Sequence, residues 1–100
     1  MKLAAWSDGL TRVVVRHQRT AVLAVIEFAI FRALQRRKTK KVLSRDLWDE
    51  VYRGVKDPPA NAGSCVRSAA CKMNRKLARL HLAVRLYNHR DRSFYELVEI

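Results

Sequence analysis

The segment 62-AGSCVRSAACKMNRKLARLHL-82 contains no acidic residue, and acids are scarce throughout the chain. Its 100 residues hold 9 Asp plus Glu against 21 Lys plus Arg, a formal net charge of +12. So small a chain with so few acids repels itself at low salt. It is drawn to polyanions such as nucleic acid or an anionic membrane surface. Charge therefore sets a class of partner and not a function. Glycine and proline are also few, three and two, and 49% of the residues are apolar. That excludes a disordered chain and allows one domain with a modest core. Two cysteines, Cys65 and Cys71, exclude a disulfide scaffold and fit a reducing compartment. Six positions apart on one helix, they would be roughly 9 Å apart, too far to bridge.

Long hydrophobic runs are lacking too. The longest, 21-AVLAVI-26, is far short of the roughly 20 residues that cross a bilayer. The N-terminus, MKLAAWSDGL, has no long apolar stretch of the kind that directs export. The expected location is the cytoplasm, at the nucleoid, with no membrane partner. Catalytic motifs are absent as well: there is no His-x-x-x-His, Cys-x-x-Cys or glycine-rich phosphate loop. His17, His81 and His89 are scattered, and none is paired in sequence with a nucleophile. Cys65, Cys71 and His81 match no common zinc spacing, and the cysteines are read as small packing residues. The chain is read as a non-enzyme with no metal, no cofactor and no catalytic residue.

What is present is periodicity. Residues 13-VVV-15 are β-branched and predict a short strand after the 8-DG-9 turn. Val22, Val25, Ile26, Ala29, Ile30, Ala33 and Leu34 repeat with a helical period over 22–37, with Thr20 available as a cap. The run 36-RRKTKK-41 is five-sixths basic and predicts a solvated helix end and loop, favourable to the helix dipole. Ser44 precedes 45-RDLWDEVYRG-54 as an N-cap, with Leu47, Trp48 and Val51 as its stripe and Gly54 as a stop. After 56-KDPP-59, Asn61 or Ser64 opens a third helix, buried along Val66, Ala70, Met73, Leu77 and Leu80. The runs 82-LAVRLY-87 and 94-FYELV-98 predict strands. The polar segment 88-NHRDRS-93 between them is read as a hairpin loop too long for a two-residue turn. A short strand, three helices and a hairpin predict an α+β winged helix-turn-helix. It has a three-helix core, a C-terminal β-hairpin wing and a short N-terminal strand, in a single domain spanning 1–100.

Opposite the buried stripe of the third helix lie Ser68, Lys72, Arg75 and Arg79, flanked by Arg67 and Asn74. A helix fits the major groove of B-DNA, where Arg and Lys read guanine edges and Ser or Asn touch other bases. The remaining cations sit against phosphates, contributing affinity without sequence information. Ser68, Lys72 and Arg75 are therefore assigned to base edges, and Arg67 and Arg79 to phosphates. Arg90 and Arg92 anchor the wing, and Lys38, Lys40 and Lys41 add non-specific attraction. A membrane-surface helix is disfavoured, because the stripe lacks Trp or Phe anchors. Tyr87, Phe94, Tyr95 and the tryptophans are read as core rather than as base-stacking platforms.

The segments 27-EFAIFRAL-34, 42-VLSRDLWDEVYRG-54, 75-RKL-77 and 94-FYELV-98 together resemble the C-terminal DNA-binding domain of OmpR/PhoB-type response regulators, the osmoregulation and phosphate-regulon activators. The resemblance runs from about Leu23 to Val98. Leu23, Glu27 and Phe28 match the family's entry to its first helix, with Ala24, Val25 and Ile26 in place of its Thr-Pro-Thr, so the helix is expected to begin near Thr20. Val42, Ser44, Arg45 and Leu47 resemble its Val-Ser-Arg-x-x-Leu entry to the second helix, with Leu43 between Val42 and Ser44 and one residue between Arg45 and Leu47. Ala70, Cys71, Met73, Asn74, Lys76 and Leu77 occupy the third-helix frame with the family's Leu-Arg pair lost. Arg90, Asp91, Arg92, Ser93 and Phe94 replace its Arg-Gly-x-Gly-Tyr, so both wing glycines are missing. The resemblance implies a third helix in the major groove and a wing at the minor groove. It also implies a contact of the loop at 54–63 with RNA polymerase.

With about 20 residues before the first helix, no receiver domain is expected, nor a switch by phosphorylation. The expected function is sequence-specific binding of double-stranded DNA and transcriptional regulation by operator or promoter occupancy, with a homodimer on DNA as a candidate arrangement. Two alternatives stand beside it: a protein-interaction module directed at RNA polymerase or another regulator, and a nucleoid-style binder without sequence choice.

Overall fold

The three valines from Val13 to Val15 lie in the middle strand of a sheet. A computed structural model describes residues 6–8, 11–37 and 41–100. In it β1 (Trp6–Asp8), β2 (Val13–Arg16) and β3 (Arg19–Val22) form an antiparallel sheet in that order. Alternation along β2 buries Val14 and Arg16 and leaves Val13 and Val15 half-buried. The turn from β2 to β3 is two residues, His17 and Gln18, with φ of 54° and 62°. Two positive φ values are what a type I′ hairpin turn requires. Asn-Gly usually supplies them, and here two residues with full side chains do.

The first helix begins later than near Thr20, because 19–22 is strand. Leu23 still belongs to the strand side: its N–H donates to the Arg12 carbonyl at 3.0 Å, and its carbonyl accepts from Arg12 Nε at 3.1 Å. Helix α1 runs Val25–Arg36. Ala24, at its N-cap, has no side-chain acceptor, and the Glu27 carboxylate takes the Ala24 N–H at 2.9 Å. That is the reciprocal half of a capping box. Val22 and Val25, expected on the buried stripe, are 59% and 64% exposed. Farther along α1, Phe28, Ile30, Phe31, Ala33 and Leu34 are buried.

Strand β4 (Val42–Leu43) leads into α2 (Ser44–Val51). Ser44 is the first helical residue and not the cap. Its hydroxyl instead shares a 2.5 Å hydrogen bond with the Ser93 hydroxyl. Helix α3 spans Ala62–Leu77, and a 3₁₀ turn at Ala78–Leu80 extends it to His81, which has φ 57°. Asn61 occupies the N-cap position, but its side-chain oxygen accepts from the Cys65 thiol at 3.6 Å, and Ser64 lies inside the helix. Val66, Ala70, Met73, Leu77 and Leu80 are all buried, as their spacing predicts. Trp48 covers the start of α3. A Cβ at Gly63 would come within 2.8 Å of the Trp48 ring, so only glycine lets the two helices approach this closely.

The wing is β5 (Leu82–His89) and β6 (Arg92–Glu99), and β4 joins it in the order β4-β6-β5. His89 pairs with Arg92, so the turn is the two residues Arg90 and Asp91, not a six-residue loop. Arg90 takes φ 56°, a conformation in which glycine is the usual residue. The polar side chains at 88–93 project from strand ends, which is why polarity alone reads as loop. Cys65 is half-buried and Cys71 exposed, both as free thiols, so Cys71 is not a packing residue.

Candidate nucleic-acid interface

The apolar stripe of α3 faces the other two helices and β5, which turns Ser68, Cys71, Lys72, Arg75 and Arg79 to the outside, all exposed. Lys76, the remaining cation of the segment, has a different task. Its Nζ lies 2.7 Å from the Glu27 carboxylate, itself only 5% exposed, and so ties α3 to the first turn of α1. The outward face thus carries Arg67, Lys72, Arg75 and Arg79 with no acid on the helix.

Three contacts fix the direction in which this face points. On the wing side, the Asn74 side chain donates to the Val84 carbonyl at 2.9 Å and accepts from the Val84 N–H at 2.7 Å. Asn74 is therefore a bracket between α3 and the wing. At the far end, buried Arg16 donates to the Leu80 carbonyl at 2.7 Å and the His81 carbonyl at 3.1 Å, and pairs with the Glu99 carboxylate. Arg19 reaches the Arg79 carbonyl at 3.3 Å. The N-terminal sheet so grips the carbonyl end of the basic helix, where cations suit the dipole.

Grooves flank the face on both sides. Ser68 and Lys72 border one of about 790 Å³ together with Val25 and Ile26 of α1. Arg67 and Cys71 border another of about 410 Å³ against Asn88 and Tyr95 of the wing. Burial raises the Tyr95 phenol above its ordinary value, an effect that the Arg67 guanidinium beside it partly offsets. Arg90 and Arg92 are exposed at the tip of the wing. Arg92 shares a cleft of about 460 Å³ with Arg45 in the first turn of α2. Lys41 lies with its ammonium 4.6 Å from the centre of the Tyr87 ring, a cation–π contact on the wing sheet. Lys38 and Lys40 fall outside the described residues.

The sequence-assigned residues therefore gather on α3 and its 3₁₀ extension (Arg67, Ser68, Lys72, Arg75, Arg79) and at the wing tip (Arg90, Arg92), with Lys41 on the wing sheet. Two residues were missed. Arg45, which in the sequence is only part of a helix entry, opens onto the wing cleft, which Asp46 and Asp91 also line. Cys71 sits one turn from both Arg67 and Arg75, a spacing that could have placed it on the outward face. Among the described residues no three His, Cys, Asp or Glu side chains form a group able to hold a metal ion, and no helix is long and apolar enough to cross a membrane.

No family model and no curated protein matches the chain. Among solved structures, the DNA-binding domain of the response regulator AdeR, crystallised in complex with an intercistronic region, is similar with a TM-score of 0.68. The two share 19% identity over 100% of this chain and 99% of that one, a likeness of fold alone. The chain is an α+β winged helix-turn-helix, with a three-helix core and a β-hairpin wing, resembling the OmpR/PhoB response-regulator effector fold.

Proposed function

We propose that the protein is a sequence-specific regulator of transcription that binds double-stranded DNA as a single winged-helix domain and acts by occupying an operator or promoter. The observation that carries this reading is the outward face of α3: four cations and a serine, no acid, braced by Asn74, Lys76 and Arg16. Bracing supports this reading over an ordinary wet helix face, because a reading helix has to present its side chains at fixed angles to base edges. Ser68, Lys72 and Arg75, nearest the centre of the face, read bases. Arg67, Arg79, Arg45 and Lys41 engage phosphates, and Arg90 and Arg92 carry the wing to the neighbouring groove. Lys38 and Lys40 add to the non-specific attraction. That the AdeR domain was crystallised with an intercistronic region is in keeping with this assignment. Pairing of two copies on repeated half-sites and contact of the 54–63 loop with RNA polymerase belong to the same reading.

The test is a titration of labelled duplex DNA across a range of salt. The logarithm of affinity should fall linearly with that of salt, with a slope of about −0.9 per phosphate engaged. Arg79→Ala should make that slope shallower by about one unit. Absence of binding at low salt would contradict the proposal and favour a module that acts on RNA polymerase or another regulator. A slope untouched by Arg79→Ala would remove that residue from the interface.

A further inference from the structure

Apart from Arg45, the outer face of α1 and α2 takes no part in the DNA reading, yet it carries its own charge. Arg32 and Arg36, one turn apart on α1, and Arg53, just past the end of α2, border a groove of about 450 Å³. Its apolar lining comes from Phe28, Ala29 and Ala33. Glu50 is the one carboxylate lining it among the described residues, and it is already engaged, 3.3 Å from Arg36 and 3.6 Å from Arg37. Arg32 lies over the Phe28 ring at 5.7 Å, and Arg53 is exposed. Neither has a carboxylate within ion-pair distance among the described residues. Two like charges one turn apart disfavour a helix; Glu50 offsets Arg36, whereas Arg32 has the Phe28 ring and no carboxylate.

We propose that this groove docks an acidic segment of a partner protein, one whose carboxylates are interleaved with apolar side chains. Partly exposed Ala29, with the rim of Phe28 that Arg32 leaves uncovered, accepts the apolar residues. The guanidinium forks of Arg32 and Arg53 take carboxylates, which they match in planar, two-point geometry. Stacking on Phe28 holds Arg32 in place before the partner arrives, which lowers the ordering cost of binding. A nucleic-acid backbone would satisfy the charge but make no use of Ala29 and the rim of Phe28. No residue of the groove comes from α3 or the wing, so both surfaces can be occupied together.

The probe is a labelled amphipathic peptide with Glu on one helical face and Leu on the other, followed by fluorescence anisotropy on the intact protein. The peptide should bind and should stay bound when duplex DNA is added to saturation. Arg32→Glu and Arg53→Glu should each weaken the peptide by about tenfold or more while changing affinity for duplex DNA by less than about twofold. Arg75→Glu should leave peptide binding intact. Because Arg53 is on the surface, its variant tests the groove even where loss of Arg32 disturbs the packing on Phe28. Failure of the peptide to bind would overturn the proposal, as would its displacement by duplex. If Arg53→Glu weakens DNA as much as peptide, the groove is a nucleic-acid surface instead.

Discussion

Arg75 lies at the middle of the outward face of α3, opposite the stripe that anchors the helix. If it makes a two-point contact to a guanine edge, Arg75→Ala should cost about 1–3 kcal/mol at the preferred site and much less elsewhere. An equal loss on all sequences, measured by competition among duplexes, would make Arg75 a phosphate contact. Tyr95 gives a prediction of another kind. Burial raises its phenol, so the folded state keeps a proton that the unfolded chain gives up near pH 10. The stability this contributes is complete below about pH 10 and is lost as the pH rises through the folded value. Tyr52 is raised too, chiefly by burial and then by Cys65, and acts in the same sense. Chemical denaturation should therefore show stability declining above about pH 10, and Tyr95→Phe should flatten that decline. A decline of the same steepness in the variant would show that Tyr95 is not its source. At this scale the sequence was informative where period decides exposure: Ser68, Lys72, Arg75 and Arg79 face outward as spaced. It was silent on Asn74 and Lys76, whose partners Val84 and Glu27 lie 10 and 49 residues away.

Among the elements, the body of α3 was legible because one stripe runs unbroken from Val66 to Leu80; its ends, at Ala62 and at the 3₁₀ turn from Ala78, were not. The start of α1 was not. The apolar pattern crosses from β3 into the helix without a break, and Ala24 offers no capping side chain to mark the boundary. Strand β4 is two residues long and exists only through its pairing with β6, which no local pattern announces. The tight turns at His17–Gln18 and Arg90–Asp91 were hidden because neither uses the glycine or asparagine that normally signals positive φ. These turns hold stored strain. Replacing His17–Gln18 by Asn-Gly should stabilise the protein by about 1 kcal/mol or more, read as a higher denaturation midpoint. An unchanged midpoint would mean that the surrounding sheet relieves the strain. Glu27 bears on α1 and α3 at once. Glu27→Ala removes the acceptor for the Ala24 N–H and the partner of Lys76. Lys76 is 41% exposed and returns to water, so the loss should be about 1–2 kcal/mol, that of a cap and a modest pair. A loss above about 3 kcal/mol would show that the pair behaves as buried.

Across the whole molecule, the +12 charge and the basic helix together turn a common fold into a candidate for polyanion binding. Fold class was legible because the order of a strand, three helices and a hairpin admits few arrangements. The second charged surface, on α1 and α2, was not, since Arg32, Arg36 and Arg53 converge only once the helices pack. Whether the braced face of α3 reads sequence is decided by in vitro selection. The intact protein would be mixed with random duplex DNA at about 150 mM salt, where non-specific attraction is screened, and the retained pool sequenced. One enriched motif is expected, weakened or lost with Arg75→Ala. A pool retained without enrichment, or no retention at all, would contradict it.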